Sequence, residues 1–205
     1  EKKMINNSNF ITGSYYRLFP IVGLSTETPF KIKNYSTNLT ITPKINIVLS
    51  PGISNSNKLS NEDSTNNDFS INNIYRLNRY SGSDKMDNSK RITFGLDAQT
   101  EYFTSSISQT YEFTSNSNFH KEQGNDDKLS DLIGSLKYLN KNELTYSFRY
   151  DANDSYLKQQ NIGLNSKTNI GDVNISYLDK NTEINDIVHG VVESLQRRFN
   201  ATLRA

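Results

Sequence analysis

The chain has 205 residues, a formal net charge of +1 and no cysteine. Near-neutral charge gives no electrostatic reason to expect nucleic acid as a partner, and the missing cysteine excludes a disulfide framework and any thiolate metal site. Only 34% of residues are hydrophobic, yet 12 tyrosines and 10 phenylalanines stand among many Ile, Thr and Ser. Disordered chains lack such residues and strands favour them. A polar average with an aromatic, strand-prone content is what a transmembrane β-barrel shows, one face of each strand meeting lipid and the other a wet lumen. No run of 18 apolar residues is present, so a transmembrane helix is not expected, and no signal peptide is visible.

In chain order, a weak strand reads at 14–28. The first strong one is 38–50, where Leu39, Ile41, Pro43, Ile45, Ile47 and Leu49 alternate with Thr40, Thr42, Lys44, Asn46, Val48 and Ser50. In 91–99, Ile92, Phe94, Leu96 and Ala98 alternate with Arg91, Thr93, Gly95, Asp97 and Gln99. Weaker strands read at 103–114 and 130–140. In 143–151, Leu144, Tyr146, Phe148 and Tyr150 alternate with Glu143, Thr145, Ser147, Arg149 and Asp151. A weak strand at 157–166 follows, then Val173, Ile175 and Tyr177 on one face, then 190–197 and a start near Ala201. These segments run to about 9–14 residues. A tilted membrane strand needs about 9–11, and a soluble strand usually about 5–6.

Very short connections at Glu101-Tyr102, Lys141-Asn142 and Lys167-Thr168 alternate with longer polar ones at 115–129, 152–156 and 179–189. Outer-membrane barrels alternate short periplasmic turns with longer outer loops. The same parity makes 51–90 one long extracellular loop. It carries Phe69, Ile71, Ile74, Tyr75, Leu77 and Tyr80, apolar anchors that a freely solvated loop does not need, so it is expected to fold inward. The fold class expected is all-β: an antiparallel transmembrane β-barrel segment of about nine strands, an open curved sheet taken from a larger barrel. The chain opens at Glu1 and stops within strand-like sequence, which is read as an internal piece of one barrel domain.

Residues 61–96 carry an ordered series: Asn61-Glu62-Asp63-Ser64, then Asp68-Phe69-Ser70, Asn73-Ile74-Tyr75, Asn78-Arg79-Tyr80-Ser81-Gly82-Ser83-Asp84-Lys85, and Arg91-Ile92-Thr93-Phe94-Gly95-Leu96. Ser108 to Phe113 continues it. The series resembles the LptD family of lipopolysaccharide-assembly proteins, once called organic solvent tolerance proteins. Lys85 stands where that family usually has arginine and Ile74-Tyr75 where it usually has Leu-Phe, and both keep the physical type. The resemblance implies a very large outer-membrane barrel of a Gram-negative bacterium, preceded by a periplasmic domain. Such a barrel receives lipopolysaccharide from a periplasmic LptA-like bridge, holds an LptE-like lipoprotein plug and releases lipid through a lateral opening between its first and last strands, outside this stretch.

Arg79, Asp84, Lys85 and Arg91 are expected to form ion pairs that pin the loop, against the plain reading of solvated charge. Gly82 is expected to serve backbone geometry, because Ser-Gly is a turn signal. Lys44, Asp97, Glu143 and Arg149, with Arg91, fall on polar faces and are candidates for the lumen wall. Arginine at a lumen position such as Thr93 is expected to be tolerated better than at a lipid position. The adjacent acids Glu62-Asp63 and Asp126-Asp127 read as solvated pairs rather than a catalytic dyad or a cation site. His120 and His189 have no partner at ligand spacing. No phosphate loop, nucleophile motif or metal motif occurs, so neither an enzyme nor a cofactor is expected. A porin-like channel and a soluble β-rich binding protein are the alternatives. The series at 61–96 speaks against the first, and strand length and turn alternation against the second.

Overall fold

The period-two segments pair with their chain neighbours throughout. A computed structural model describes residues 4–6, 9–11, 17–33, 38–53, 55, 61, 63–64, 69–114, 124, 128–168 and 171–180. Its strands are β1 (Met4–Asn6), β2 (Asn9–Ile11), β3 (Val22–Glu27), β4 (Phe30–Lys33), β5 (Asn38–Leu49), β6 (Lys90–Gln99), β7 (Phe103–Glu112), β8 (Leu132–Leu139), β9 (Asn142–Asp151), β10 (Tyr156–Thr168) and β11 (Gly171–Lys180). β1 and β2 make a small hairpin, and the remaining nine form one antiparallel sheet in the order β11-β10-β9-β8-β7-β6-β5-β3, with β4 also on β5. Among the described residues the sheet is open. Its simple up-and-down order is that of a barrel wall.

Within the described residues the expected strand at 14–28 is confined to β3, and β4 was not anticipated. Both lie on β5 in one register, Glu27 opposite Lys44 and Phe30 opposite Ile41. They are therefore two halves of one strand, interrupted at Thr28-Pro29. Proline cannot donate to a ladder, and Pro43 on β5 removes the donor that would face Thr28, although the Thr28 N–H still reaches the Pro43 carbonyl at 3.3 Å. The tight turn expected at Lys167-Thr168 is a correction of another kind. Both residues belong to β10, opposite Asp172 and Gly171. The expected strands at 190–197 and near Ala201 lie outside the described residues.

Register sorts the side chains into two faces. Ile45, Phe94, Gln109, Ile47, Ile92 and Tyr111 share one, and Asn46, Thr93 and Thr110 the other. Carried across the sheet, the first face holds nearly all the exposed large apolar groups, from Val22 and Leu24 through Phe94, Leu96, Ile107 and Leu136 to Ile162 and Ile175. Its only charged members among the described strands β3 to β11 are Lys90 and Asp179, both at the end of the sheet that bears the long connections. The second face is polar. There the connection between β5 and β6 folds back onto it, and the buried apolar cluster of Phe69, Ile74 and Ile133 forms between that connection and β8, with Ile71 and Tyr75 against it. Burying Ile74 and Phe69 stabilises by about 1.5–3 kcal/mol each, so this small cluster alone cannot account for so long a docked segment.

Candidate functional site

An ionic cluster adds to the docking. Asp87 sits between two arginines, 2.5 Å from Arg79 Nε and 2.9 Å from Arg91 Nη1. Glu112 on β7 closes the cluster, 2.6 Å from Arg79 Nη2, and its other oxygen accepts from Ser89 Oγ at 2.6 Å. All four charged side chains are fully buried. Two guanidiniums and two carboxylates balance, which is the condition under which buried charges are tolerated. Burial opposes the charge on Arg79, but Asp87 and Glu112 outweigh it and hold its pKa above the ordinary value. Arg91 Nη2 donates to the carbonyls of Arg76 and Leu77. The arginine of β6 thus ties down the connection that precedes it.

The expected pinning partners are met in part. Arg79 and Arg91 form the cluster. Asp84 instead accepts from the Asp63 N–H at 3.1 Å. Lys85 lies over the Tyr80 ring at 5.8 Å, while its N–H donates to Ser64 Oγ at 2.9 Å. Burial, with Asp87 nearby, pushes the Tyr80 hydroxyl up to about 12. Glu112 was missed, although a signal existed: the short turn after β6 sets the register, and that register places Glu112 directly opposite Arg91.

Asp63 forms a second fastening. Its carboxylate accepts from the N–H groups of Ser83 and Asp84 and from the hydroxyls of Ser83 and Ser64, at 2.9–3.2 Å. Asn61 Oδ1 accepts from the Ser64 N–H. Asn78 donates to the carbonyls of Gly82 and Lys85 and accepts from the Asp87 N–H. Arg17, just before β3, donates to the carbonyls of Ser83 and Asp84. Gly82 serves space rather than an unusual backbone angle: a Cβ there would lie 2.4 Å from Asp63 Cγ. Glu62 lies outside the described residues.

Backbone donors from Ser83 and Asp84 hold the Asp63 carboxyl well below the ordinary carboxylate range. A depressed pKa means that the clip's stabilisation is complete above the unfolded value of about 3.9 and is lost as pH falls below it toward the folded value. Hydrogen exchange at the Ser83 and Asp84 amides is therefore expected to stay equally protected, after correction for intrinsic rate, from pH 8 down to about 4, and to lose protection only in stronger acid. Loss already between pH 7 and 5 would assign the fastening to another group.

The wall under the loop is shaped to receive it. Tyr75 reaches Ser108 Oγ at 2.7 Å, with its ring 5.8 Å from Lys44 Nζ. A Cβ on Gly95 would fall 2.0 Å from the Tyr75 hydroxyl, so the glycine makes room for that ring. Leu96, beside it in sequence, points to the opposite, apolar face. Lys44 pairs with Asp97 at 2.5 Å and, more loosely, with Glu27 at 3.7 Å. Thr93 is completely buried and bonded to Thr110 at 2.8 Å. Arginine is expected from sequence to be tolerated there better than at a lipid position, and this complete burial speaks against it. On β8 to β10, Asp131 lies 3.3 Å from Arg149 and 3.1 Å from Lys158, which also meets Asp151 at 2.6 Å. Of these only Arg149 had been singled out. Glu143 pairs with Lys137 at 2.7 Å in a more open position.

Among the described residues no group of three or more His, Asp or Glu could hold a metal ion. The chemistry present is ion pairing and hydrogen bonding that fastens a long segment across a polar strand wall. A family model described as LPS transport system D, LptD, matches residues 3–204. The chain belongs to the LptD family. No curated protein matches the sequence. Membership makes this a lipopolysaccharide transport and assembly protein of the outer membrane, built as a β-barrel, and gives the apolar and polar faces of the sheet a common origin. The series at 61–96, on which the LptD resemblance rested, is the segment that carries both fastenings.

Proposed function

We propose that this chain forms part of the barrel translocon that inserts lipopolysaccharide into the outer leaflet. In this reading the bare apolar face meets lipid and the polar face, with Lys44, Asp97, Glu143 and Arg149, lines the lumen. The segment 51–90 is an extracellular loop folded into that lumen, where it narrows the pore while lipid leaves sideways. An LptE-like lipoprotein plugs the remaining space, and an LptA-like bridge delivers lipid through a periplasmic domain. Catalysis has no part in this reading.

The observation that carries it is the two-faced sheet with a loop whose described residues are fastened to its polar side. Aromatic pairs also lie near the ends of the apolar face, Phe103 with Tyr138 at one end and Tyr111 with Phe113 at the other, ring centroids 4.7 and 5.5 Å apart. Phe103 and Tyr111 lie eight residues apart on β7, about 27 Å along the strand at about 3.4 Å per residue. A tilt of about 40° brings that to about 20 Å, close to the height of an outer-membrane apolar band flanked by aromatic girdles.

Deleting 61–85 tests the loop assignment. The strands on both sides keep their partners, so the barrel is expected to assemble, but cells should admit large antibiotics that the parent strain excludes. Unchanged permeability, together with free labelling of cysteines at Ile74 and Leu77 from outside, would show a solvated loop and end this reading of it.

A further inference from the structure

The inward face is not uniformly covered. Beyond the loop's edge at Phe69–Asn72 lies a cavity of about 180 Å³, bounded on the other side by β8, β9 and β10. One part of its lining is apolar, from Phe69, Ile71 and Ile133, and another offers hydroxyl and amide groups, from Ser135, Ser147 and Gln159. Arg149 borders it, but among the described residues its charge stands within a cluster of two cations and two carboxylates with Lys158, Asp131 and Asp151. Such a cluster exerts little net pull on an anion. From the cavity toward the short-turn end, the polar face of β9 to β11 continues with Thr145, Asn161, Asn165, Asn174 and Ser176, neutral hydrogen-bonding groups, and meets charge at its rim, where Glu143 stands opposite Asn165 and Lys167 opposite Asp172.

Resting on the proposed translocon role, we infer that this cavity is a contact site for a neutral sugar unit of the transported lipid, distinct from any site for its phosphates. A pyranose has the matching chemistry: C–H faces that lie against an aromatic or branched aliphatic side chain, and a rim of hydroxyls that both donate and accept. Ser, Asn and Gln side chains do both as well. An acyl chain would leave the hydroxyl and amide groups of the lining unpaired, at a desolvation cost. A phosphate would find Arg149 and Lys158 already paired with Asp131 and Asp151. Next to the cavity the same wall continues with neutral hydrogen-bonding groups before it reaches Glu143, Lys167 and Asp172, so a second sugar would meet similar partners.

The test uses the intact protein assembled in the outer membrane of living cells. A photoreactive benzophenone amino acid is placed singly at Gln159 and, against a local folding defect, at Ser147. Thr42, on the same face at β5 and away from the cavity, and Ile162, on the apolar face, serve as comparisons. Adducts to lipopolysaccharide are compared between cells making the full sugar core and cells making only its innermost sugars. Expected is an adduct at Gln159 or Ser147 that falls several-fold when the sugars are truncated, with Thr42 and Ile162 changing little. An adduct at Thr42 with none at the cavity positions, or cavity adducts indifferent to sugar length, would overturn the sugar site and leave the translocon reading standing. Cavity adducts to protein alone would assign the space to a plug instead. No lipopolysaccharide adduct at any polar-face position would overturn the reading on which the inference rests.

Discussion

Replacing Asp87 by alanine is expected to destabilise the folded barrel by about 3–5 kcal/mol, the range for removing one partner of a buried ion pair. The size follows from its position. Asp87 is the carboxylate shared by Arg79 and Arg91, and among the described residues its loss leaves two buried guanidiniums facing the carboxylate of Glu112. Neither arginine can shed its charge at neutral pH, so the loop must lift until water reaches them. Unfolding of the barrel in lipid would therefore shift, and cleavage within 69–89 by added protease should become fast while the strands remain protected. Asp154 provides the comparison. It is an exposed turn residue, and its replacement by alanine should change stability by no more than about 0.5 kcal/mol. If Asp87→Ala and Asp154→Ala behave alike, the arginines are hydrated in the native barrel and the ionic latch does not exist.

The parts of this architecture legible from sequence are those governed by a local period. In β5, β6 and β9 the alternation named the correct face for every residue from Leu39 to Leu49, Ile92 to Ala98 and Leu144 to Tyr150, because a strand between lipid and water must alternate. Where a local irregularity intervenes, the reading failed. Thr28-Pro29 interrupts a strand whose two halves share one register on β5, so β4 was unseen. The shift between Leu157 and Gln159 releases Lys158 from the alternation into the pocket between Asp131 and Asp151.

The loop divides the same way. Its six expected apolar anchors were visible because so many are too many for solvent, and five of them are buried or half-buried while Leu77 stays exposed. Its ionic partners were only half visible, since Arg79 meets Glu112 across 33 residues of chain, a distance that no spacing rule spans. Only pairs fixed by a short turn, such as Arg91 opposite Glu112, could have been computed. Asp63 and Gly82 depended on a close approach between two loop segments that have no period at all.

The assignment of the two faces is tested most directly by arginine at matched depths. Phe94 lies near the middle of β6 on the apolar face and is 43% exposed although wholly apolar, an exposure that water would penalise and lipid would not. Phe94→Arg is expected to destabilise the barrel by about 2–4 kcal/mol, the range for arginine at the bilayer midplane of a barrel. The opposite face needs a position that the loop leaves open, and Thr93 does not qualify. Thr42 does: it is half-buried on β5, opposite Asp97 in register, so a guanidinium there would gain a carboxylate neighbour. Thr42→Arg should alter stability by no more than about 1 kcal/mol, as for a partly solvated ion pair. Unfolding of both variants in lipid, with Thr93→Arg as a third, gives the expected order of loss: Phe94 and Thr93 large, Thr42 small. Thr93 fails for a different reason from Phe94, because its arginine displaces the loop rather than entering lipid, and only the Thr93 variant should expose 69–89 to protease. Equal losses at Phe94 and Thr42 would mean that the two faces share one environment, and the barrel orientation would have to be abandoned.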